Sequence, residues 1–163
     1  MTIRHIVRYP DPALSTPCEP VNTFGPELSA LQQDLVDTMR AAPGVGITAA
    51  HIGVFKRLFV LELQPGNVLT YVNAQIIHMA GQTMRHVEGS VSMPGFTEEI
   101  ERPQQVTIRF QDLGGTEREE TAEGFHAICI QHEIDQLDGI FWIKRLSKLK
   151  RDRLIRKWEK SQR

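Results

Sequence analysis

The chain has 163 residues, 40% of them hydrophobic, and a formal net charge of −1, which suits a single domain over residues 1–163 with one core of ordinary size. Its apolar runs, such as Leu58–Leu61 and Ala127–Ile130, fall far short of the roughly 20 residues that span a bilayer. Met1–His5 has no apolar stretch of signal-peptide length, and only Cys18 and Cys129 are available for pairing, so a reduced cytoplasmic protein is expected.

Residues 1–24 carry Pro10, Pro12, Pro17 and Pro20, which predicts an extended, irregular segment. From Pro26 to Ala42, Leu28, Leu31, Leu35 and Met39 recur at spacings of three and four, with a proline in the first turn and Gly44 beyond the end. That pattern predicts a helix. Two strands, Arg57–Leu61 and Val68–Val72, flank a Pro65-Gly66-Asn67 turn, and a third, Val106–Phe110, precedes a turn at Asp112–Gly115. A second helix is expected from about Thr121 to Leu137 with Phe125, Ile128 and Cys129 inward, and a third from about Leu149 to Lys160 carrying Leu154 and Trp158. The order predicts an α+β fold. Ten Lys or Arg against Asp152 and Glu159 give residues 144–163 a charge of +8 and leave −9 for the remainder, so the basic tail is a separate electrostatic object.

Three segments carry residues suited to chemistry. In Gln131-His132-Glu133-Ile134-Asp135-Gln136, positions 132, 133 and 136 share one helical turn; in the pattern H-E-x-x-H this aims two imidazoles at a metal and leaves the Glu to move a proton. Here Gln136 stands at the second His position, and the dipeptide alone better suits a solvated helix face. Glu88-Gly89-Ser90-Val91-Ser92-Met93-Pro94-Gly95 suits a tight backbone beside a ligand or a plain turn. In Gly44-Val45-Gly46-Ile47-Thr48-Ala49-Ala50-His51 the glycines permit close backbone approach. This segment also reads G-x-G-x-x-A, but a dinucleotide site needs a strand before the glycines, whereas residues 26–42 are patterned as a helix.

The three segments, in this order and spacing, resemble the peptide deformylase motifs G-x-G-x-A-A-x-Q, E-G-C-x-S and Q-H-E-x-D-H. Tyr9–Leu14, Tyr71–Asn73 and Gly139–Phe141 extend the likeness over nearly the whole chain. The resemblance implies antiparallel sheets around a central motif-bearing helix, with N- and C-terminal helices. It also implies removal of formyl from N-formylmethionine at the start of new polypeptides, using Fe or another divalent metal held by one Cys and two His. By the same resemblance His132 matches a metal ligand and Glu133 the acid/base. The Val91 N–H matches an oxyanion donor, Val45 and Gly46 the substrate-aligning edge, and Ile128 and Cys129 the methionine pocket. His86 falls beside that pocket, at a position where the family tends to place an apolar residue.

Three departures coincide with the chemistry. Ser90 replaces the ligand Cys, Gln136 a ligand His, and His51 the oxyanion Gln. A serine hydroxyl stays protonated near neutral pH and a glutamine carbonyl is a neutral hard ligand, so no tightly bound cofactor is expected, and any that binds should be divalent Fe, Zn or Ni. The expected function is a deformylase-like protein with little or no ordinary deformylase activity, whose partner is a peptide N-terminus or formyl-peptide. One alternative is a rebuilt metal-dependent hydrolase using His51 and His132; another is metal-free hydrolysis with Ser90 as nucleophile and His132 as base. The basic C-terminal helix resembles the family's ribosome-contacting helix and suits phosphate backbones, and no membrane contact is expected.

Overall fold

The structure is a computed structural model describing residues 1–163. Residues 1–25 have no regular element beyond one 3-10 turn, Pro12–Ser15, whose first N–H groups are capped by Asp11. Their backbone polar groups bond instead to distant elements, as in Cys18 N–H to Leu137 O at 2.7 Å and Tyr9 N–H to Ser92 O at 3.0 Å.

Helix α1 (Pro26–Ala41) matches its periodicity, burying Leu28, Leu35 and Met39. Beyond it, strand β1 (Gly46–Thr48) leads into a 3-10 turn, Ala49–Ile52. β2 (Leu58–Gln64) and β3 (Asn67–Met79) form an antiparallel hairpin about Pro65-Gly66, where Gly66 takes φ +83°. Both strands run longer than the predicted segments, because residues beyond Leu61 and Val72 still pair through the backbone. The other strands are β4 (Thr83–Gly89), β5 (Thr97–Pro103), β6 (Gln105–Gln111) and β7 (Glu117–Glu123). They build a five-stranded sheet in the order β1-β2-β3-β6-β7 and a two-stranded sheet β4-β5, antiparallel throughout.

Leu58–Leu61 is buried at every position because β2 is covered on both faces. Alternation sends Phe59 and Leu61 towards α2 (Gly124–Leu137), together with Tyr71, Ile108, Ile130 and Ile134, and sends Leu58 and Val60 towards Leu28, Leu35 and Met39 of α1. The motif-bearing helix therefore lies on one face of the large sheet and α1 on the other. α3 (Lys148–Ser161) is capped by Ser147 and buries Leu154 and Trp158 in a third cluster with Leu14, Met93, Ile100 and Trp142.

The second helix starts three residues later than Thr121. Thr121–Glu123 completes β7 opposite Gln105–Thr107, and Gly124 turns the corner at φ +59°, a conformation that favours glycine. Phe125 falls in the first exposed turn and is 43% accessible, contrary to the inward placement expected, whereas Ile128 and Cys129 are buried as predicted.

Candidate functional site

A cavity of about 390 Å³ opens between β1, the end of β4 and α2. β1 and β4 each pair on one side only, so both present a free backbone edge. Val45 and Gly46 line one wall, Glu88, Gly89, Ser90 and Val91 another, and Ile128, Cys129, His132 and Glu133 the floor, with His51 beside them. Nine of the ten residues matched to ligand, catalytic or substrate-binding positions thus meet at one cavity. The exception is Gln136, which is buried and donates its side-chain N–H to Leu14 O at 2.8 Å. His86 is also absent from the lining: it leans against Phe125 with ring centroids 5.0 Å apart, and Phe125 is the one of the two that borders the cavity.

Gly46 is required by close packing. A Cβ there would stand 2.7 Å from Leu61 Cδ2 and 3.1 Å from Glu133 Oε2. The glycine-rich segment is therefore an antiparallel edge strand pressed against the motif helix, and its antiparallel pairing with β2 removes any dinucleotide-fold reading.

Beneath the cavity lies a charged chain that sequence reasoning missed. Glu88 Oε1 accepts from His132 Nδ1 at 2.8 Å, and Arg102 donates to Glu88 through Nε and Nη2 at 2.6 and 2.9 Å. Arg102 Nη1 reaches Asp135 Oδ2 at 2.8 Å, and Asp135 is gripped by Arg145 at 2.9 and 2.7 Å. Burial alone would raise the Glu88 carboxyl, but hydrogen bonds from His132 and Arg102 hold it down to about 2. Burial opposes charge on His132, yet the bond to Glu88 and the charge of Glu133 outweigh it and raise its pKa above the ordinary histidine value. The one signal for Arg102 in the sequence is its spacing from Ile100: two residues apart on a strand, both point inward.

Glu133 is buried. Burial pushes its carboxyl up to about 7 against the opposing pull of His132, and its Oε2 has no hydrogen-bond partner. Burial likewise pushes the Cys129 thiol up to about 12, which makes it a neutral apolar wall.

His51 is held by a capping box. The Thr48 N–H lies 2.9 Å from His51 Nδ1. A backbone N–H can only donate, so Nδ1 carries the lone pair and the ring proton of the neutral imidazole sits on Nε2. Burial, then the charge of His132, hold the ring pKa down to about 3, so the neutral form prevails. Nε2 has no partner.

These donors do not fit a divalent metal. Ser90 Oγ accepts the Ser92 N–H at 3.1 Å, Gln136 is turned to Leu14, and His51 Nε2 presents a proton where a metal needs a lone pair. His132 Nε2, 3.8 Å from Glu133 Oε1, is the single imidazole nitrogen left for the purpose, and no group of three His, Cys, Asp or Glu is arranged to hold an ion. Ser90 and His132 also share no hydrogen bond, since each is engaged elsewhere, with Ser92 and Glu88.

The fold is antiparallel α+β, with a His-Glu helix under a cavity between two free strand edges. A profile of the polypeptide deformylase family matches residues 3–152, and the chain belongs to that family. It is 70% identical to a peptide deformylase-like protein of Agrobacterium fabrum, over 99% of this chain and 98% of the relative. It is 42% identical to a peptide deformylase of Phenylobacterium zucineum, over 98% and 97%. The crystal structure of peptide deformylase from Ehrlichia chaffeensis in complex with actinonin superimposes with a TM-score of 0.94 at 34% identity, covering 100% of this chain and 99% of that one. No helix is long and apolar enough to cross a membrane.

Proposed function

We propose that the protein binds the amino-terminal end of a peptide in a deformylase-type groove, with little or no ordinary deformylase activity. The observation that carries this reading is the engagement of both altered ligand positions within the fold: Ser90 with the Ser92 N–H, Gln136 with the Leu14 carbonyl. A metal held by His132 alone loses most of the roughly 10 kcal/mol that a complete site contributes. The Val45–Gly46 edge and the free edge of β4 suit an extended backbone, and Ile128 and Cys129 suit an apolar first side chain. The Val91 N–H and Glu133 remain for contact with the terminal group.

The rebuilt metal-dependent enzyme is disfavoured by the Thr48 bond to His51 Nδ1, which leaves Nε2 protonated. The exposed basic residues of α3, among them Arg153, Lys157 and Lys160, support a contact with phosphate backbone such as that of the ribosome.

The test is hydrolysis of an N-formylmethionyl peptide with matched metal analysis, after purification in buffer containing divalent metal. Expected are far less than one Fe, Ni or Zn per chain and a rate at the uncatalysed background. Stoichiometric metal that survives gel filtration, together with turnover, overturns the proposal.

A further inference from the structure

A second cavity, a cleft of about 550 Å³, opens where the N-terminal segment, the turn Trp142–Arg145 and α3 meet. It shares no lining residue with the cavity floored by α2, and none of its residues lies in the three motif segments. Its size falls within the roughly 300–1,000 Å³ usual for small-molecule sites. Leu14, Phe141 and Ile143, each at most 3% accessible, give it an apolar floor that Ile155 extends along α3. The surrounding backbone is held in place: Gln136 donates to the Leu14 carbonyl at 2.8 Å and Trp158 Nε1 to the Tyr9 carbonyl at 3.1 Å, while the Tyr9 ring stacks on Phe141 with centroids 5.5 Å apart. Two cations, the exposed Lys144 and the half-buried Arg151, also line the cleft. The basic residues between them are all paired, Arg145 with Asp135, Lys148 with Asp152 and Lys150 with Glu98, whereas no side-chain hydrogen bond or ion pair engages Lys144 or Arg151. The one acid in the lining, Asp11, is turned to the Ala13 N–H at 2.8 Å. Lys144 and Arg151 against Asp11 leave the lining with one positive charge in excess. Burial, then the charge of Glu159, raise the Tyr9 phenol above its ordinary value against the pull of Arg151, so it adds a neutral donor.

An apolar floor with unpaired cations beside it fits a ligand that is apolar at one end and anionic at the other. We propose that this cleft binds an aliphatic monocarboxylate of medium chain length, its hydrocarbon on Leu14, Ile143 and Ile155 and its carboxylate on Arg151 and Lys144. A guanidinium fork takes both carboxylate oxygens in parallel hydrogen bonds, and a lysine adds a point charge. One excess positive charge matches a monoanion. A dianionic phosphate overshoots it and sets its surplus charge against Asp11. The aliphatic side chains of the floor suit a saturated chain, whose burial contributes about threefold to fourfold in affinity per CH2. The site shares no residue with the groove of the proposed peptide-binding function and does not rest on that reading.

The experiment titrates the full chain with hexanoate, octanoate, octan-1-ol and octyl phosphate, each below its micellar concentration, by calorimetry and by proton–nitrogen NMR. Octanoate is expected to shift the amide signals of Leu14, Ile143 and Ile155 and to leave those of Val45, Gly46 and Ile128 in place. It should bind about tenfold more tightly than hexanoate, which is shorter by two CH2 groups. It should also bind at least about tenfold more tightly than octan-1-ol, which has the chain without the charge. Lys144→Gln and Arg151→Gln together, at positions outside the core, should bring octanoate down to the level of octan-1-ol with little change in the unfolding midpoint. No binding of octanoate, equal affinity for octanoate and octan-1-ol, undiminished binding by the double variant, or shifts confined to the cavity floored by α2 overturns the site. Tighter binding of octyl phosphate than of octanoate at about pH 8, where the phosphate is dianionic, overturns the monocarboxylate assignment. None of these outcomes bears on the peptide-binding function, which is tested separately by the formyl-peptide assay.

Discussion

Over one turn of α2, neighbouring residues meet opposite fates. Asp135 and Gln136, turned away from the cavity, are held by Arg102, Arg145 and the Leu14 carbonyl. Glu133, turned towards it, leaves one oxygen without a partner, as does the Nε2 of His51 beside it. An unsatisfied buried group costs on the order of 1–3 kcal/mol, so the two sides of this turn do different work. The satisfied side ties α2 to β5, the N-terminal segment and the turn Trp142–Arg145; the unsatisfied side faces the cavity lining without hydrogen-bond partners. Gln136, which the sequence resemblance matched to a ligand position, lies on the satisfied side, bonded to the Leu14 carbonyl.

The contrast breaks most severely at Arg102. Arg102→Met leaves Glu88 and Asp135 buried without their shared guanidinium, and the expected loss is about 3–5 kcal/mol in urea unfolding. A loss below 1 kcal/mol would mean that the charged chain contributes little to the architecture. Gln136→Leu orphans the Leu14 carbonyl and should cost about 1–3 kcal/mol in the same assay; an unchanged midpoint would show Gln136 to be available for other work. At the small end, Arg153→Glu, Lys157→Glu and Lys160→Glu together alter exposed positions of α3, where a stability change of about 1 kcal/mol or less is expected. Ribosome co-sedimentation at low salt should nevertheless fall. Unaltered co-sedimentation would remove the phosphate-backbone contact.

How much was legible in the sequence depended on the range of the interaction. α1 and the hairpin of β2 and β3 follow from patterns within one element: leucines at three and four, and apolar runs around Pro65-Gly66. β4, β5 and β7 were not legible, because TMRHVEG, TEEIERP and EREETAE are mostly polar segments that become strands through backbone pairing. Their polarity suits an edge, since β4 and β5 form a two-stranded sheet and β7 ends the larger one. The start of α2 was misread for a related reason: Thr121–Glu123 pairs across to β6, and Gly124 turns the chain.

At the site, residue identity alone puts a serine at 90 and a glutamine at 136, where the resemblance leads one to expect a thiolate and an imidazole, since a side chain's chemistry does not depend on its fold. The order of the three motifs also sufficed to bring nine of the ten chosen residues to one cavity. Direction was another matter. Gln136 turns to a carbonyl 122 positions earlier in the chain, Arg102 joins Glu88 to Asp135 across two elements, and the His51 proton is placed by a strand-end N–H that itself depends on β1 pairing with β2. Local spacing determines which face of an element a residue occupies; which partner it finds there is decided by segments remote in sequence, and only the packed tertiary structure brings those together.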